Sequence, residues 1–306
     1  MNRKHIYIYP KLSEPDMNLF RLGGAGLGNI LFTYARAVVY AAKNERIKII
    51  WPTWPSIKLG PILRNEKDKR FYADLFKNNS RYISGLKKIV LRMTKKKISE
   101  EDYLQGVDAE DKIVELTGFD GCFESILQDS EIVRQNIIEN LAPKNLKATN
   151  FDAKNTICLH VRLGDFKRAT MEQLLSGQHD SSIPIDWYVL MVENLRQITG
   201  VCTKVYVFSD GTDEELNPIL KLENVERISF GTSIADILAL SRASIFVASG
   251  SSFSMWARYL GRMTTIMLPN QVKQRILLET EKNREIEALE SIPVQYEDLI
   301  RTILTK

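Results

Sequence analysis

From Thr156 onwards the apolar residues switch repeatedly between two periods, and this alternation restricts the possible folds more than any other feature of the chain. A strand-like run over 156–162 is followed by 186–197, where Trp187, Leu190, Met191 and Leu195 recur at helical spacing. Further strand candidates lie at 204–209, 225–230, 243–249 and 264–268, with helix candidates at 213–222, 233–241 and 252–260 between them. Strands joined by helices pair in parallel, and right-handed crossovers cover both sheet faces. The second half is therefore predicted to be an open, doubly wound α/β domain that gathers ligands at the carboxyl ends of its strands.

The first half repeats the theme less regularly, with strand candidates 5–9 and 19–22, a glycine loop, a helix 29–43 and a strand 47–51. Between the halves, 142–150 is polar, carries Pro143 and has no hydrophobic period, as linkers do. The expected division is 1–150 and 151–306, two α/β domains facing one another across a cleft, which suits a chain of 306 residues. A composition of 44% hydrophobic and 26% charged residues excludes disorder and fibrous architectures. The balance of 42 Lys and Arg against 38 Asp and Glu is too even to nominate nucleic acid as a partner. Cys122, Cys158 and Cys202 are odd in number and widely spaced, so neither a disulfide framework nor a zinc site is expected, and the reading is a reducing, cytoplasmic compartment. No secretory signal and no bilayer-spanning run is expected either.

Four constellations carry chemistry. The loop Gly23-Gly24-Ala25-Gly26-Leu27-Gly28-Asn29 stands between a strand and a helix, where glycine admits a phosphate close to backbone amides at a helix N-terminus. Gly23 and Gly28 have Walker spacing, but Asn29-Ile30 replaces the lysine and hydroxyl of a phosphate loop, and the third dinucleotide glycine falls on Asn29. A structural turn is the alternative. His160-Val161-Arg162-Leu163-Gly164-Asp165-Phe166 ends the first strand of the second domain, with His160 and Arg162 on one face. A guanidinium there suits a phosphate and the negative charge of a leaving group, the alternative being a structural Arg162–Asp165 pair. Phe208-Ser209-Asp210-Gly211 ends the next strand, where Asp210 reads as a turn residue or as an acceptor for a base or ribose. Ser249 to Trp256 opens a helix with hydroxyls that either cap it or hold a diphosphate.

Taken together, these residues resemble the GDP-fucose-dependent bacterial α-1,2-fucosyltransferases of glycosyltransferase family eleven. Gly26-Leu27-Gly28-Asn29 with Leu31-Phe32 and Tyr34-Ala35 is similar to the family's N-terminal G-x-L-G-N-x-x-F-x-Y-A signature, and Gly118-Phe119 to its mid-chain Gly-Tyr segment. His160-Val161-Arg162 with Gly164-Asp165 resembles its H-x-R-R-G-D motif, Phe208-Ser209-Asp210 its F-S-D strand end, and Ser251-Ser252-Phe253-Ser254 with Trp256 its S-S-F-S segment. The resemblance implies a GT-B fold of two Rossmann-like domains, the first on the acceptor side and the second holding the nucleotide sugar. It further implies inversion at the anomeric carbon, no metal, and GDP-fucose as donor rather than any bound cofactor. Arg162 would contact the diphosphate with help from His160, and Asp210 would bind the nucleoside. Ser251, Ser252 and Phe253 would lie against the diphosphate, with Gly28 and Asn29 approaching it across the cleft. Leu163 stands where the family has a second arginine and Gly26 where it has a basic or bulky residue, which leaves another GDP-sugar open as donor.

The base that takes the acceptor proton is sought among Asp165, Glu172, His179, Asp180 and Asp186. The segment 58–97 carries 13 Lys and Arg against 3 Asp and Glu, with apolar residues interleaved. It reads first as solvated surface helices and second as a peripheral contact with the inner membrane face, where lipid-linked glycan acceptors reside. A non-catalytic nucleotide-sugar or glycan-binding protein is the reading from another class, and a dinucleotide oxidoreductase rests on the glycine loop alone.

Overall fold

The computed structural model describes residues 5–63 and 70–305, which divide into two compact units, Met1–Leu146 and Lys147–Lys306. In the first unit the main strands are β1 (Ile6–Pro10), β2 (Ile47–Ile49), β3 (Lys97–Ser99) and β4 (Ile113–Leu116), and the longer helices are α1 (Leu27–Lys43), α2 (Gly85–Thr94) and α3 (Ser130–Glu139). The sheet runs β2-β1-β4-β3 with every pairing parallel. Helix α1 buries Leu27, Leu31, Tyr34 and Val38 together with all the residues between them except the half-buried Asn29, because its sequence is apolar around much of its circumference.

Three expectations change here. The strand placed at 19–22 shrinks to Arg21–Leu22, which pairs with Ser56–Ile57 outside the main sheet. The stretch expected to link the halves does contain the division between the units, at Leu146 and Lys147, but it is not irregular: it coils into 3-10 turns over Pro143–Asn150, where the buried Asn145 amide donates to the Leu75 carbonyl at 3.0 Å and Ala148 packs inward. A polar stretch thus became structure because its polar group found a backbone partner. Of the basic segment 58–97, residues 64–69 lie outside those described; Tyr72, Leu75 and Phe76 are buried core and not helical surface.

The second unit contains β5 (Ile157–Val161), α4 (Ile185–Thr199), β6 (Val205–Ser209), α5 (Asp213–Leu220), β7 (Val225–Arg227), α6 (Ser233–Leu240), β8 (Ile245–Val247), α7 (Ser252–Gly261), β9 (Thr264–Met267), β10 (Glu285–Glu287) and α8 (Glu297–Leu304). Its parallel sheet has the order β7-β6-β5-β8-β9-β10. Strand β5 is buried at all five positions, as a central parallel strand covered on both faces must be. Leu159, Val161, Val207, Val247 and Ile266 meet Trp187, Met191 and Leu195 of α4 in one core. Thr212 and Glu215 close a capping box that starts α5, and Gly200, at φ 69°, ends α4 in the left-handed conformation that glycine adopts without strain. The order of the strands reverses direction between β5 and β8, so the crevice outside their carboxyl ends is the topological switch point where open α/β sheets bind ligands.

Candidate active site at the switch point of the second sheet

Register decides what meets at this edge. Phe208 and Ser209 of β6 stand opposite His160 and Val161 of β5, so the residues that leave the two strands, Arg162 and Asp210, come out side by side. Arg162 Nη1 lies 2.5 Å from Asp210 Oδ2, Nη2 pairs with Asp165, and the guanidinium lies over the Phe166 ring at 5.2 Å. Asp210 Oδ1 accepts the Leu163 amide proton at 2.8 Å. A Cβ on Gly164 would come 2.4 Å from Asp210 Oδ2, so glycine is required for the turn to close over that carboxylate. Arg162 is thus neither a buried strut nor a bare cation. It sits at the rim of the crevice, about a fifth exposed, between two carboxylates.

His160 takes the opposite environment on the same strand. Its Nδ1 lies 2.8 Å from Ser254 Oγ and 3.0 Å from Ser249 Oγ, and its ring stacks on Phe253 with centroids 4.5 Å apart. Burial pushes the imidazole down to about 3; Asp210 opposes that shift and Arg162 reinforces it. A neutral ring at ordinary pH positions hydroxyls and exchanges no proton of its own. Ser251 caps α7 by accepting the Ser254 amide proton at 3.4 Å, and its hydroxyl lies 2.9 Å from Ser249 Oγ. Ser252 and Phe253 form the first turn of α7, whose N-terminal dipole faces an edge already rich in hydroxyls.

The residues singled out for the second domain therefore fall into two groups at one sheet edge: Arg162 with Asp165 and Asp210, and His160 with Phe253 and, through Ser249, Ser251, while Ser252 stands in the first turn of α7. Sequence reasoning included Ser249, Ser254 and Phe166 in its constellations but gave them no role of their own; in the structure the two serines hold His160 and Phe166 lies under Arg162. Ser254 carried a signal, standing three residues after the cap; Phe166 carried none. Asp210, expected to bind the nucleoside, is here committed to Arg162 and to the Leu163 amide. Leu163 itself is buried in the core, its Cδ1 2.4 Å from where a Cβ on Gly211 would stand.

Gly28 and Asn29 belong to the other unit. There Gly23 and Gly24 take φ of 68° and 91°, and a Cβ on Gly24 would strike Ser13 and the Arg21 guanidinium at 2.6 and 2.8 Å. The Leu27 amide donates to Tyr72 Oη at 2.9 Å and the Asn29 amide to Gly26 O at 3.1 Å. The loop expected to expose its amides has thus satisfied two of them internally. Gly118 O accepts from Thr33 Oγ1 at 2.7 Å, which fastens the chain beyond β4 to α1.

Among the proposed bases, Asp180 pairs with Lys273 at 2.6 Å, Glu172 lies exposed in the first turn of Met171–Leu175, His179 is exposed, and Asp186 is exposed at the start of α4. Only Asp165 touches Arg162. Among the described residues no group of three or more His, Cys, Asp or Glu is placed to hold a metal ion, and no helix is long and apolar enough to cross a membrane.

Comparison with known proteins gives this geometry a context. The family model described as glycosyl transferase family 11 matches residues 25–288. No curated protein matches the chain. Among solved structures, a NodZ α-1,6-fucosyltransferase co-crystallised with GDP aligns with a TM-score of 0.53 at 16% identity, over 87% of this chain and 96% of that one. The NodZ fucosyltransferase from Bradyrhizobium aligns with a TM-score of 0.48 at 13% identity, over 83% and 93%. POFUT1 in complex with GDP aligns with a TM-score of 0.44 at 15% identity, over 87% and 98%. At such identities the first of these establishes the fold, which is of the GT-B type.

Proposed function

The chain belongs to glycosyl transferase family 11, and from that membership we propose that it moves fucose from GDP-fucose to a hydroxyl of a glycan, with inversion, without a metal and in α-1,2 linkage. The observation that carries the reading is Arg162 at the switch point, beside the capped N-terminus of α7 and the hydroxyls held by His160. The motif resemblance supports fucose as the sugar, and the NodZ protein that shares the fold was crystallised with GDP.

Cleavage of the donor bond leaves negative charge on the β-phosphate and positive charge on the sugar ring, so a fixed cation beside that phosphate lowers the barrier selectively. Arg162 is that cation. Because two carboxylates already hold it, the diphosphate takes over the guanidinium from Asp165, which comes from the adjoining turn, while Asp210 keeps the arginine in place. Asp165, so released, accepts the proton of the acceptor hydroxyl as the new carbon–oxygen bond forms and GDP departs with the electron pair of the old one. The acceptor is read as a lipid-linked glycan, approached through the basic segment 58–97.

Calorimetric titration with GDP, GDP-fucose, GDP-mannose and a uridine-based sugar tests the donor, followed by transfer assays with and without a chelator. Guanosine-specific binding and chelator-insensitive transfer of fucose are expected. Binding of the uridine sugar alone would overturn the donor, and hydrolysis or transfer absent with every guanosine sugar would leave a binding protein.

A further inference from the structure

Helix α2 packs Leu91 into the core with Tyr9, Ile50 and Ile113, yet it carries a second apolar face that points outward. On a surface helix the charged residues face water and the apolar stripe faces the core, yet here Leu86, Val90 and Met93, spaced on one helical face, are 81%, 56% and 78% exposed. Lys88 and Arg92, one turn apart, point inward instead: Lys88 Nζ donates to Thr53 Oγ1 at 2.7 Å, and both cations lie over the Tyr9 ring at 5.3 and 4.1 Å. Arg92 also pairs with Asp16 at 3.2 Å and bonds to Asn18, which fastens the loop after β1 against the helix and brings its exposed Met17 and Leu19 beside it.

An apolar face built at the expense of burying two cations meets something other than water. Charge identifies the partner. Lys87 and Lys96 flank the stripe and have no ion-pair partner among the described residues, Lys95 and Lys97 neutralise Asp111 and Glu115, and Lys11 neutralises Glu14. In the sequence, segment 58–97 carries 13 basic against 3 acidic residues, of which Lys58, Lys88 and Arg92 turn inward. Among the described residues of the second unit the large exposed apolar side chains are Val201 and Val294.

We infer that α2 and the adjoining loop 16–20 form a docking face for an anionic phospholipid surface, with Leu86, Val90 and Met93 entering the interface and Lys87 and Lys96 meeting the headgroups. This rests on the reading of segment 58–97 as a membrane contact and names the residues that make it.

The test is sedimentation of the full chain with vesicles of phosphatidylcholine alone or mixed equally with phosphatidylglycerol. The chain is expected to sediment with the anionic vesicles only, and less at high salt. Replacing the stripe, Leu86→Gln with Val90→Gln and Met93→Gln, is expected to weaken binding at least about tenfold. Reversing the two lysines, Lys87→Glu with Lys96→Glu, is expected to weaken it by more than about tenfold, since each contributes about fivefold near such a surface. GDP titration of the same samples, unchanged in both variants, reports that the site in the second unit is intact and separates this inference from the donor assignment. Wild type that stays in the supernatant, or a stripe variant that sediments like wild type, would overturn it. So would a concentration-dependent dimer abolished by the stripe variant, which would assign the face to a second copy of the chain.

Discussion

Arg162 Nη1 lies 2.5 Å from Asp210 Oδ2, and the same guanidinium also holds Asp165, so the cation at this sheet edge is kept in position by the protein's own carboxylates. The arrangement makes the arginine rigid before any donor binds, which is the condition under which a charge stabilises a transition state without reorganising. Arg162→Ala is expected to lower transfer by about a hundredfold to a thousandfold. Because the pair is partly exposed, the melting temperature should change little. Arg162→Lys should rescue little of the rate, since an ammonium cannot present two parallel donors. Initial rates and melting curves on the three proteins check this; unimpaired turnover in the alanine variant sinks the assignment.

Gly164 passes directly over the Asp210 carboxylate. In Gly164→Ala the new methyl group would fall 2.4 Å from Oδ2, so either the turn or the aspartate must move. We expect a loss of about 1–3 kcal/mol, typical of overpacking, together with a lower transfer rate as Arg162 loses its fixed partner. Urea unfolding alongside rate measurement decides the matter, and a variant indistinguishable from wild type in both would show that the turn yields freely.

His160 links stability to pH. In the unfolded chain its imidazole titrates near 6.5, and in the folded protein burial lowers it to about 3. Between these values the unfolded state binds a proton that the folded state does not, so stability is expected to fall as pH drops from about 6.5 towards about 3. His160→Asn removes the titration and should flatten this limb. Urea midpoints at pH 7 and pH 5 for both proteins provide the comparison; parallel losses in the two would place the acid sensitivity elsewhere. The same shift predicts no inflection from His160 in the rate profile at neutral pH.

The pair Arg258–Glu285 spans α7 and β10 in a fully buried setting, at 2.5 Å, and Glu285 Oε1 also accepts the Ile276 amide proton at 2.8 Å. Burial lowers the affinity of Arg258 for its proton, opposed by Glu285. Arg258→Met would leave the buried carboxylate with the Ile276 amide and the more distant Arg275 and is expected to cost about 3 kcal/mol, whereas adding Glu285→Leu should recover part of the loss. A double-mutant cycle by chemical denaturation measures the coupling, and additive losses would mean that the two charges do not stabilise one another.

What the sequence determined by itself was the order of elements and the sheet edge at which the residues singled out in the second domain stand. The alternation of periods from Thr156 onwards specified parallel strands with helices between them, and a parallel sheet obliges ligands to meet its carboxyl edge, where His160, Arg162, Asp210 and Ser251 stand. Periodicity is local, so it survives in a single chain read alone. Strand β10, with its Glu-Ile-Glu, left no such trace, since its buried Glu285 is accommodated by Arg258 from a helix distant in sequence together with the Ile276 amide and Arg275. The same limit applied to polarity. Nothing along the chain distinguishes the inward Lys88 and Arg92 from the outward Lys87 and Lys96, and nothing shows that Asp210 would clasp Arg162 instead of standing free. Those outcomes were decided by tertiary structure, because whether a charge is buried depends on which partner the rest of the fold brings to it, and desolvation without that partner would be prohibitive.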